Sequence, residues 1–332
     1  MDGPGGEGSN RRQVLGALAV LSTAPAWPAL AQAQTPAPPE IAEPRLLTNL
    51  LTRMAARVAV NGRNRYAFVI DTGAGRTAVS DQLAREMNLP PGPPVLVHGV
   101  TSAEIAPTVR LNALEFGGRR FNNILAPVFP RALLAADGLI GLDVLSRFRL
   151  TFDLGRRIAT LAPSGGSVME ASVAFQEATR MERQGRSAMV EALGQLVLVA
   201  ASAEGRPVRV FIDSGAQYSI GNPALRDAVS GPSGGAVDRR RVEVFGVIGQ
   251  SIMAEVGGVR DLRIGRHSLG DTPLLFADLH AFRTLGLSDA PTILMGADLL
   301  TRFRRVSVDF GRARMNFSGL RPASRPPDYG LA

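Results

Sequence analysis

The second half of this 332-residue chain repeats the first, and the repeat constrains the fold more than any other feature. Residues 57–80 and residues 197–222 each contain two runs of β-branched and aromatic residues, separated by Asn61-Gly62 in one copy and Glu204-Gly205 in the other. Such turn pairs favour antiparallel hairpins. The repeat therefore predicts two similar β domains within one chain.

Two further pairs of segments follow in the same order in both copies. An apolar strand that leads into a glycine turn occurs at residues 95–105 and again at residues 242–252, which predicts a pair of flap hairpins. The segments 138–161 and 293–317 also match, and each predicts a short helix followed by a hairpin. The matched residues of this last pair are Gly141, Asp143 and Phe148 with Gly296, Asp298 and Phe303.

These segments predict an all-β fold class, mostly β with a few short helices, in two tandem domains of similar structure. Further helices are expected at residues 81–88 and 223–229. The predicted boundaries are a first domain at 46–162, a connector at 163–190, a second domain at 191–318 and a C-terminal tail at 319–332. A proline-rich linker at 34–45 precedes the first domain.

Residues 1–33 predict an export signal. Arg11-Arg12 precedes a short apolar stretch that is interrupted by prolines, and small residues at 29–33 offer cleavage sites. The segment resembles a twin-arginine signal, which implies a periplasmic location and no stable membrane insertion after cleavage. An uncleaved anchor in the inner membrane is the alternative.

Composition excludes several classes of function. All 37 basic residues are arginines, because the chain contains no lysine, and the formal net charge is +8. These arginines are scattered and no nucleic-acid motif accompanies them, so a solvated basic surface is expected and nucleic acid is not an expected partner. There is no cysteine, and none of the three histidines is spaced as a ligand pair. Neither a metal site nor a cofactor is expected.

The acidic loops of the two copies carry the functional signal. They read Asp71-Thr72-Gly73-Ala74 and Asp213-Ser214-Gly215-Ala216, and each copy later has an apolar-apolar-glycine element, Leu139-Ile140-Gly141 or Leu294-Met295-Gly296. The chain resembles the retropepsin-like aspartic peptidases over nearly all of residues 46–318. The resemblance implies two tandem β-barrel lobes related by a pseudo-twofold. It also implies that their paired aspartates are catalytic and that the glycine elements pack beneath them.

The chemistry of such a reaction explains the two aspartates. Hydrolysis without a metal or a covalent intermediate needs a carboxylate that takes a proton from water and a carboxylic acid that polarises the scissile carbonyl group. Two carboxyl groups within about 3 Å of each other share one proton, because both cannot ionise cheaply. Asp71 and Asp213 are therefore the predicted catalytic pair, and the sequence does not assign the proton to either one.

The neighbours of the two aspartates are predicted to support the loops. Thr72 and Ser214 are expected to hydrogen-bond the backbone of the opposite loop, as in the family. Gly73 and Gly215 allow a close backbone approach that a side chain would block. Ala74 and Ala216 stand where pepsin-like relatives often have a hydroxyl group, which predicts a less acidic pH optimum than that of pepsin.

Residues outside the two acidic loops are also assigned possible roles. Gly99, Val100, Gly246, Val247 and Ile248 lie at the predicted flap tips and are candidates for covering the substrate. Neither flap has the tyrosine of pepsin-like enzymes, so the sequence predicts no preference for particular substrate side chains. Asp143 and Asp298 are expected to cap the following helix or to pair with arginines, and Asp137 has no assigned role. Arg76 either reaches the cleft, where it would favour acidic substrates, or is solvated.

The resulting hypothesis is a monomeric aspartic endopeptidase that hydrolyses envelope or periplasmic proteins, with a polypeptide substrate as its partner. One alternative is a catalytically inactive, retropepsin-like binding or scaffold module in the periplasm. Another is an enzyme in which each half pairs with a second chain, although the covalent repeat makes this pairing unnecessary.

Overall fold

The computed structural model describes residues 46–47, 54–164, 198–230 and 240–322. The strands of the first domain are β1 (Leu46–Leu47), β2 (Ala55–Val60), β3 (Arg63–Ile70), β4 (Ala78–Ser80), β5 (Pro91–His98), β6 (Ala103–Phe116), β7 (Arg119–Phe129), β8 (Gly138–Ile140), β9 (Phe148–Asp153) and β10 (Ile158–Pro163). Its helices are α1 (Asp81–Glu86), α2 (Arg131–Leu134) and α3 (Leu142–Leu145).

The second domain repeats this order of elements. Its strands are β11 (Leu198–Ala203), β12 (Arg206–Ile212), β13 (Ile220–Gly221), β14 (Arg241–Phe245), β15 (Ser251–Ile264), β16 (His267–Phe276), β17 (Thr292–Met295), β18 (Phe303–Asp309) and β19 (Arg314–Leu320). Its helices are α4 (Pro223–Val229), α5 (His280–Thr284) and α6 (Ala297–Leu300).

Each domain is a six-stranded sheet that closes on itself. In the first domain the order is β2-β3-β8-β4-β7-β6, and β6 pairs back with β2. In the second domain the order is β11-β12-β17-β13-β16-β15, and β15 pairs back with β11. Ring closure leaves β5 and β14 as outer strands, which form hairpins with β6 and β15. The prediction of a mostly β fold with two repeated barrel domains is confirmed.

Local sequence explains several element boundaries. The β2–β3 turn has Asn61 at φ 47° and Gly62 at φ 82°, the left-handed region that a type I′ hairpin turn requires. Helix α1 begins after Ser80, whose side chain accepts a hydrogen bond from the amide of Leu83. Helix α4 begins in the same way after Asn222, and it has proline in its first turn. The helices predicted at 81–88 and 223–229 are therefore α1 and α4.

A third sheet joins the two domains. Its order is β10-β9-β18-β19, and the antiparallel pairing of β9 with β18 connects strands from different domains. The fully buried rings of Phe152 and Phe303 belong to one apolar core that runs through both domains and this sheet. Burying a side chain of this size contributes on the order of 2 kcal/mol, so the shared core fixes the domains against each other.

Two strands extend slightly past the predicted domain ends. Strand β10 ends at Pro163 and β19 at Leu320, one or two residues beyond the predicted domain ends. The predicted export signal, the linker at 34–45 and most of the connector and tail lie outside the described residues. Within the described part of the chain, no helix is both long and apolar enough to cross a membrane.

Candidate active site

The two acidic loops follow equivalent strands in the two domains. Asp71 follows β3, which pairs in parallel with β8, and its amide donates to the carbonyl oxygen of Ile140 at 3.0 Å. Asp213 follows β12, which pairs in parallel with β17, and its amide donates to Met295 at 3.0 Å. Each aspartate is therefore held at the end of a central strand, beside the predicted apolar-apolar-glycine element.

The structure brings the two carboxyl groups together. A Cβ atom built on Gly215 would lie 2.4 Å from Cγ of Asp71, and one built on Gly73 would lie 2.7 Å from Cγ of Asp213. Each glycine thus packs against the carboxyl group of the opposite domain, where any larger side chain would collide. The carboxyl group of Asp213 shares a hydrogen bond with that of Asp71. The residues Asp71 and Asp213 are only 9% and 5% exposed, so little water screens the pair.

Hydroxyl groups join the loops across the pseudo-twofold. Thr72 Oγ1 donates to the carbonyl oxygen of Ile212 at 2.9 Å, and Ser214 Oγ donates to that of Ile70 at 2.7 Å. The amide of Thr72 donates to Ser214 Oγ at 3.2 Å, and the amide of Ser214 donates to Thr72 Oγ1 at 3.1 Å. Both hydroxyl residues are buried, so these four bonds fix the register of the loops without help from water.

Backbone amides hold one oxygen of each carboxyl group. Asp71 Oδ1 accepts from the amides of Gly73 at 2.9 Å and Ala74 at 3.0 Å. Asp213 Oδ1 accepts from Gly215 and Ala216 at the same two distances. Burial raises the pKa of Asp213 well above its ordinary value of 3.8, and the charge of Asp71 and the hydrogen bond with it raise the pKa further. The backbone amides oppose this rise, but they do not outweigh it.

Two other acids support the loops from below. Asp143 Oδ1 accepts from the hydroxyl group of Thr77 at 2.7 Å, and that hydroxyl oxygen accepts from the amide of Gly141 at 3.2 Å. In the second domain, Ser219 makes the corresponding bonds with Asp298 and the amide of Gly296. Each carboxylate also accepts from the next amide in the first turn of its helix. The two acids therefore bind a hydroxyl group of the loop in addition to their own helix, and neither lies at the carboxyl pair.

Both halves of the chain match family models of aspartyl proteases. Residues 56–147 match a family model described as gag-polyprotein putative aspartyl protease, and residues 199–299 match a model described as aspartyl protease. The chain carries two retropepsin-like aspartyl protease domains in tandem. Among solved structures, a retropepsin-like aspartic protease from Rickettsia conorii matches with 23% identity and a TM-score of 0.28, over 37% of this chain and 91% of its own. No curated protein matches the chain.

The predicted flap residues lie at the tips of two hairpins, one from each protease domain. Flap 1 is the β5–β6 hairpin with its tip at 99–102, and flap 2 is the β14–β15 hairpin with its tip at 246–250. The tips meet: Thr101 Oγ1 donates to the carbonyl oxygen of Gln250 at 3.2 Å, and a Cβ atom on Gly99 would lie 3.1 Å from Cδ1 of Ile248.

Each flap tip also packs against the opposite protease domain. Ile248 of flap 2 belongs to the apolar cluster of the first domain, and Val247 and Ala74 pack against this cluster. Val100 of flap 1 packs on the cluster of the second domain, as does Ala216. Since these alanines follow the two aspartates within the acidic loops, each flap tip packs on the same apolar cluster as the acidic loop of the opposite domain.

Two further residues considered in the sequence are Arg76 and Asp137. Arg76 is exposed. Asp137 accepts from the amide of Ala67 at 2.9 Å and forms an ion pair with Arg131, so it ties α2 to the strand before the first loop. In the described residues, no cluster of three or more His, Asp or Glu side chains is arranged to hold a metal ion.

Sequence reasoning did not foresee the hydroxyl groups of Thr77 and Ser219. Both occur six residues after the aspartate of their loop, and the repeat itself carried that signal. It also did not foresee the contact between His98 and His280, which are 182 positions apart and have no counterpart in the repeat.

Proposed function

We propose that the chain is an aspartic endopeptidase in which Asp71 and Asp213 activate a water molecule between them. The observation that carries this proposal is the approach of the two carboxyl groups, each packed against the glycine of the opposite loop. Each domain supplies one of the two acids, so a single chain is enough for the pair and we expect a monomer.

The proposed mechanism uses the shared proton of the pair. At a pH where the pair carries one proton, the ionised carboxylate accepts a proton from water and the protonated one donates a hydrogen bond to the scissile carbonyl oxygen. The raised pKa of Asp213, caused by burial and by Asp71, extends this singly protonated state toward neutral pH. The backbone amides that bind Oδ1 of each aspartate hold the carboxyl groups in place.

A polypeptide is the proposed substrate, held between the carboxyl pair and the two flaps. Gly99, Val100, Gly246, Val247 and Ile248 would cover it, because they form the flap tips. Val100, Val247 and Ile248 pack on the same apolar clusters as the alanines of the acidic loops. Substrate entry then requires both tips to move away from these surfaces. Small apolar residues at the tips favour contact with substrate backbone and apolar side chains over charge recognition.

We further propose that the protease works in the periplasm on envelope proteins, which rests on the twin-arginine pattern at Arg11-Arg12. Replacing both arginines by lysine should retain the protein in the cytoplasm, as measured by cell fractionation. Mass spectrometry of the exported protein separates a cleaved signal from an uncleaved anchor. Equal export of the lysine variant would contradict this part of the proposal.

Digestion of a peptide library tests the catalytic assignment. The full chain should cleave a set of peptides that the Asp71→Asn and Asp213→Asn variants leave intact. Asp289→Asn is the matched control, since this exposed aspartate lies away from the pair, and it should cleave as the unmodified chain does. Equal cleavage by all four proteins would remove the assignment. No cleavage by the unmodified chain would favour an inactive binding module instead.

A further inference from the structure

The tip of flap 1 is bonded to a short helix of the second domain. The amide of Ala281 in α5 donates to the carbonyl oxygen of Val100 at 3.2 Å. The side chain of Val100 packs on the apolar cluster that also contacts Ala281 and Leu285. We call this contact between Val100 of flap 1 and α5 the seam. It connects the two domains, so flap 1 cannot move away without breaking it.

Two histidines lie in the same seam. His98, the last residue of β5, places Nδ1 3.1 Å from Nε2 of His280, the first residue of α5. The ring planes are within 2° of parallel, but the ring centres are 5.4 Å apart. Because the nitrogens are so much closer than the ring centres, they lie between them, as in an N–H···N hydrogen bond rather than a face-to-face stack.

The second flap lacks this contact. Phe245 precedes Gly246 in flap 2 as His98 precedes Gly99 in flap 1. The tip of flap 2 approaches α2 through Gly249 and the apolar Leu133, where a Cβ atom on the glycine would lie 3.2 Å from Leu133 Cδ1. The histidine pair is therefore an addition to one half of a repeated structure.

The surroundings disfavour a positive charge on His280. Burial lowers the pKa of His280, and the positive charges of His98 and Arg283 lower the pKa further. Arg283 forms an ion pair with Asp278 at 2.6 Å. Asp278 is the acidic residue nearest in sequence to α5, and it is therefore paired with Arg283. On the flap side, the charged residue of β6 nearest the tip is Glu104, whose cross-strand partner is Val97 rather than His98.

A hydrogen bond between two imidazoles needs one unprotonated nitrogen. Thr284 Oγ1 lies 3.0 Å from the same Nε2 of His280 and donates to the carbonyl oxygen of His280. Because the Thr284 hydroxyl group donates to this carbonyl oxygen, its own oxygen can accept from the Nε2–H group of His280. Unprotonated Nδ1 of His98 can then accept from the same N–H group as a second acceptor. When both rings are protonated, two N–H groups face each other and the two imidazolium charges repel.

We propose that His98 and His280 form a pH-sensitive latch, which holds flap 1 against the second domain at neutral pH and releases it under mildly acidic conditions. The release should follow protonation near the ordinary histidine range, about pH 6.5 and below. If opening takes up one additional proton, the ratio of open to closed flap rises by up to about tenfold for each pH unit below that range.

The absence of cysteine allows a direct test by distance measurement. Leu96, 61% exposed in β5, and the exposed Asp289 after α5 can be changed to cysteines and spin-labelled in an otherwise cysteine-free chain. Double electron–electron resonance should give one short distance at pH 8 and a growing long component at pH 5. An Asp213→Asn background removes the titration of Asp213 and its coupling to Asp71, and no peptidase activity is needed for the readout.

Two variants test whether the histidine pair causes the change. His98→Phe copies flap 2 and should abolish the pH dependence of the distance, whatever its effect on the mean distance. His267→Gln is the matched control, because His267 binds the carbonyl oxygen of Phe317 at 2.9 Å and lies outside the seam, so this variant should keep the pH dependence. An unchanged distance between pH 8 and pH 5 in the labelled chain, or an unchanged shift in His98→Phe, would overturn the proposal. Circular dichroism at both pH values verifies that each variant is folded.

Discussion

Removing the hydroxyl group of Ser214 should measure how strongly the two active loops are locked together. Ser214 is fully buried, and its Oγ accepts from the amide of Thr72 at 3.2 Å and donates to the carbonyl oxygen of Ile70 at 2.7 Å. Ser214→Ala leaves both backbone groups without these bonds in a site that water does not reach. Each buried polar group that loses its partner costs about 1–3 kcal/mol. We therefore expect the free energy of unfolding to fall by about 2–6 kcal/mol.

Urea unfolding followed by far-ultraviolet circular dichroism measures this loss. Ser307→Ala is the matched control, since Ser307 Oγ also bonds across the domains, to Thr151 Oγ1 at 2.9 Å in the shared sheet. Both of these residues are only partly buried, so water can replace the lost bond and the expected cost is below about 1 kcal/mol. A Ser214→Ala protein no less stable than the control would refute the reasoning, as would a loss below about 1 kcal/mol.

Three further predictions concern the carboxyl pair. Gly215→Ala should abolish peptidase activity, because the new Cβ would lie 2.4 Å from the carboxyl carbon of Asp71. Gly75→Ala is the control, since its Cβ meets no atom within 4 Å, and it should retain activity. Equal kcat/KM for the two variants would contradict this prediction. Asp213→Asn should raise the melting temperature more at pH 8 than at pH 4. The reason is that the pKa of Asp213 is raised in the folded protein, so the unmodified protein loses stability as pH rises from 3.8 through the raised pKa. A difference in melting temperature between the two proteins that is the same at both pH values would count against this. The activity maximum should lie above about pH 4, where an ordinary aspartate is half protonated, and a peptidase profile that peaks below this pH would disagree.

The repeat made much of the fold predictable. The hairpin turn at Asn61-Gly62 has the left-handed backbone angles that asparagine and glycine favour, and α4 begins after an asparagine that caps it. Local rules of this kind act within a few residues and can be read from a sequence. The meeting of the two acidic loops was predictable for a different reason, since two copies of one domain in one chain can pair as a symmetric dimer does.

Features that depend on contacts between distant residues were not predictable. Helices α2 and α5 follow Pro130 and Leu279, neither of which offers a side-chain cap, so the sequence carries no start signal for them. The pairing of β9 with β18 depends on how the domains meet, which no local pattern encodes. The same holds for the contact of His98 with its partner in α5, which needs both the flap and the second domain in place.

The central claim is that Asp71 and Asp213 of one chain form a single acid pair, and mixing two variants tests it most directly. Asp71→Asn and Asp213→Asn each retain one complete acidic loop. We predict that each variant is inactive on a peptide that the unmodified chain cleaves, and that an equimolar mixture, unfolded and refolded together, is inactive as well. Activity of either variant alone, or activity restored in the mixture, would mean that the acids pair between chains and would contradict the account.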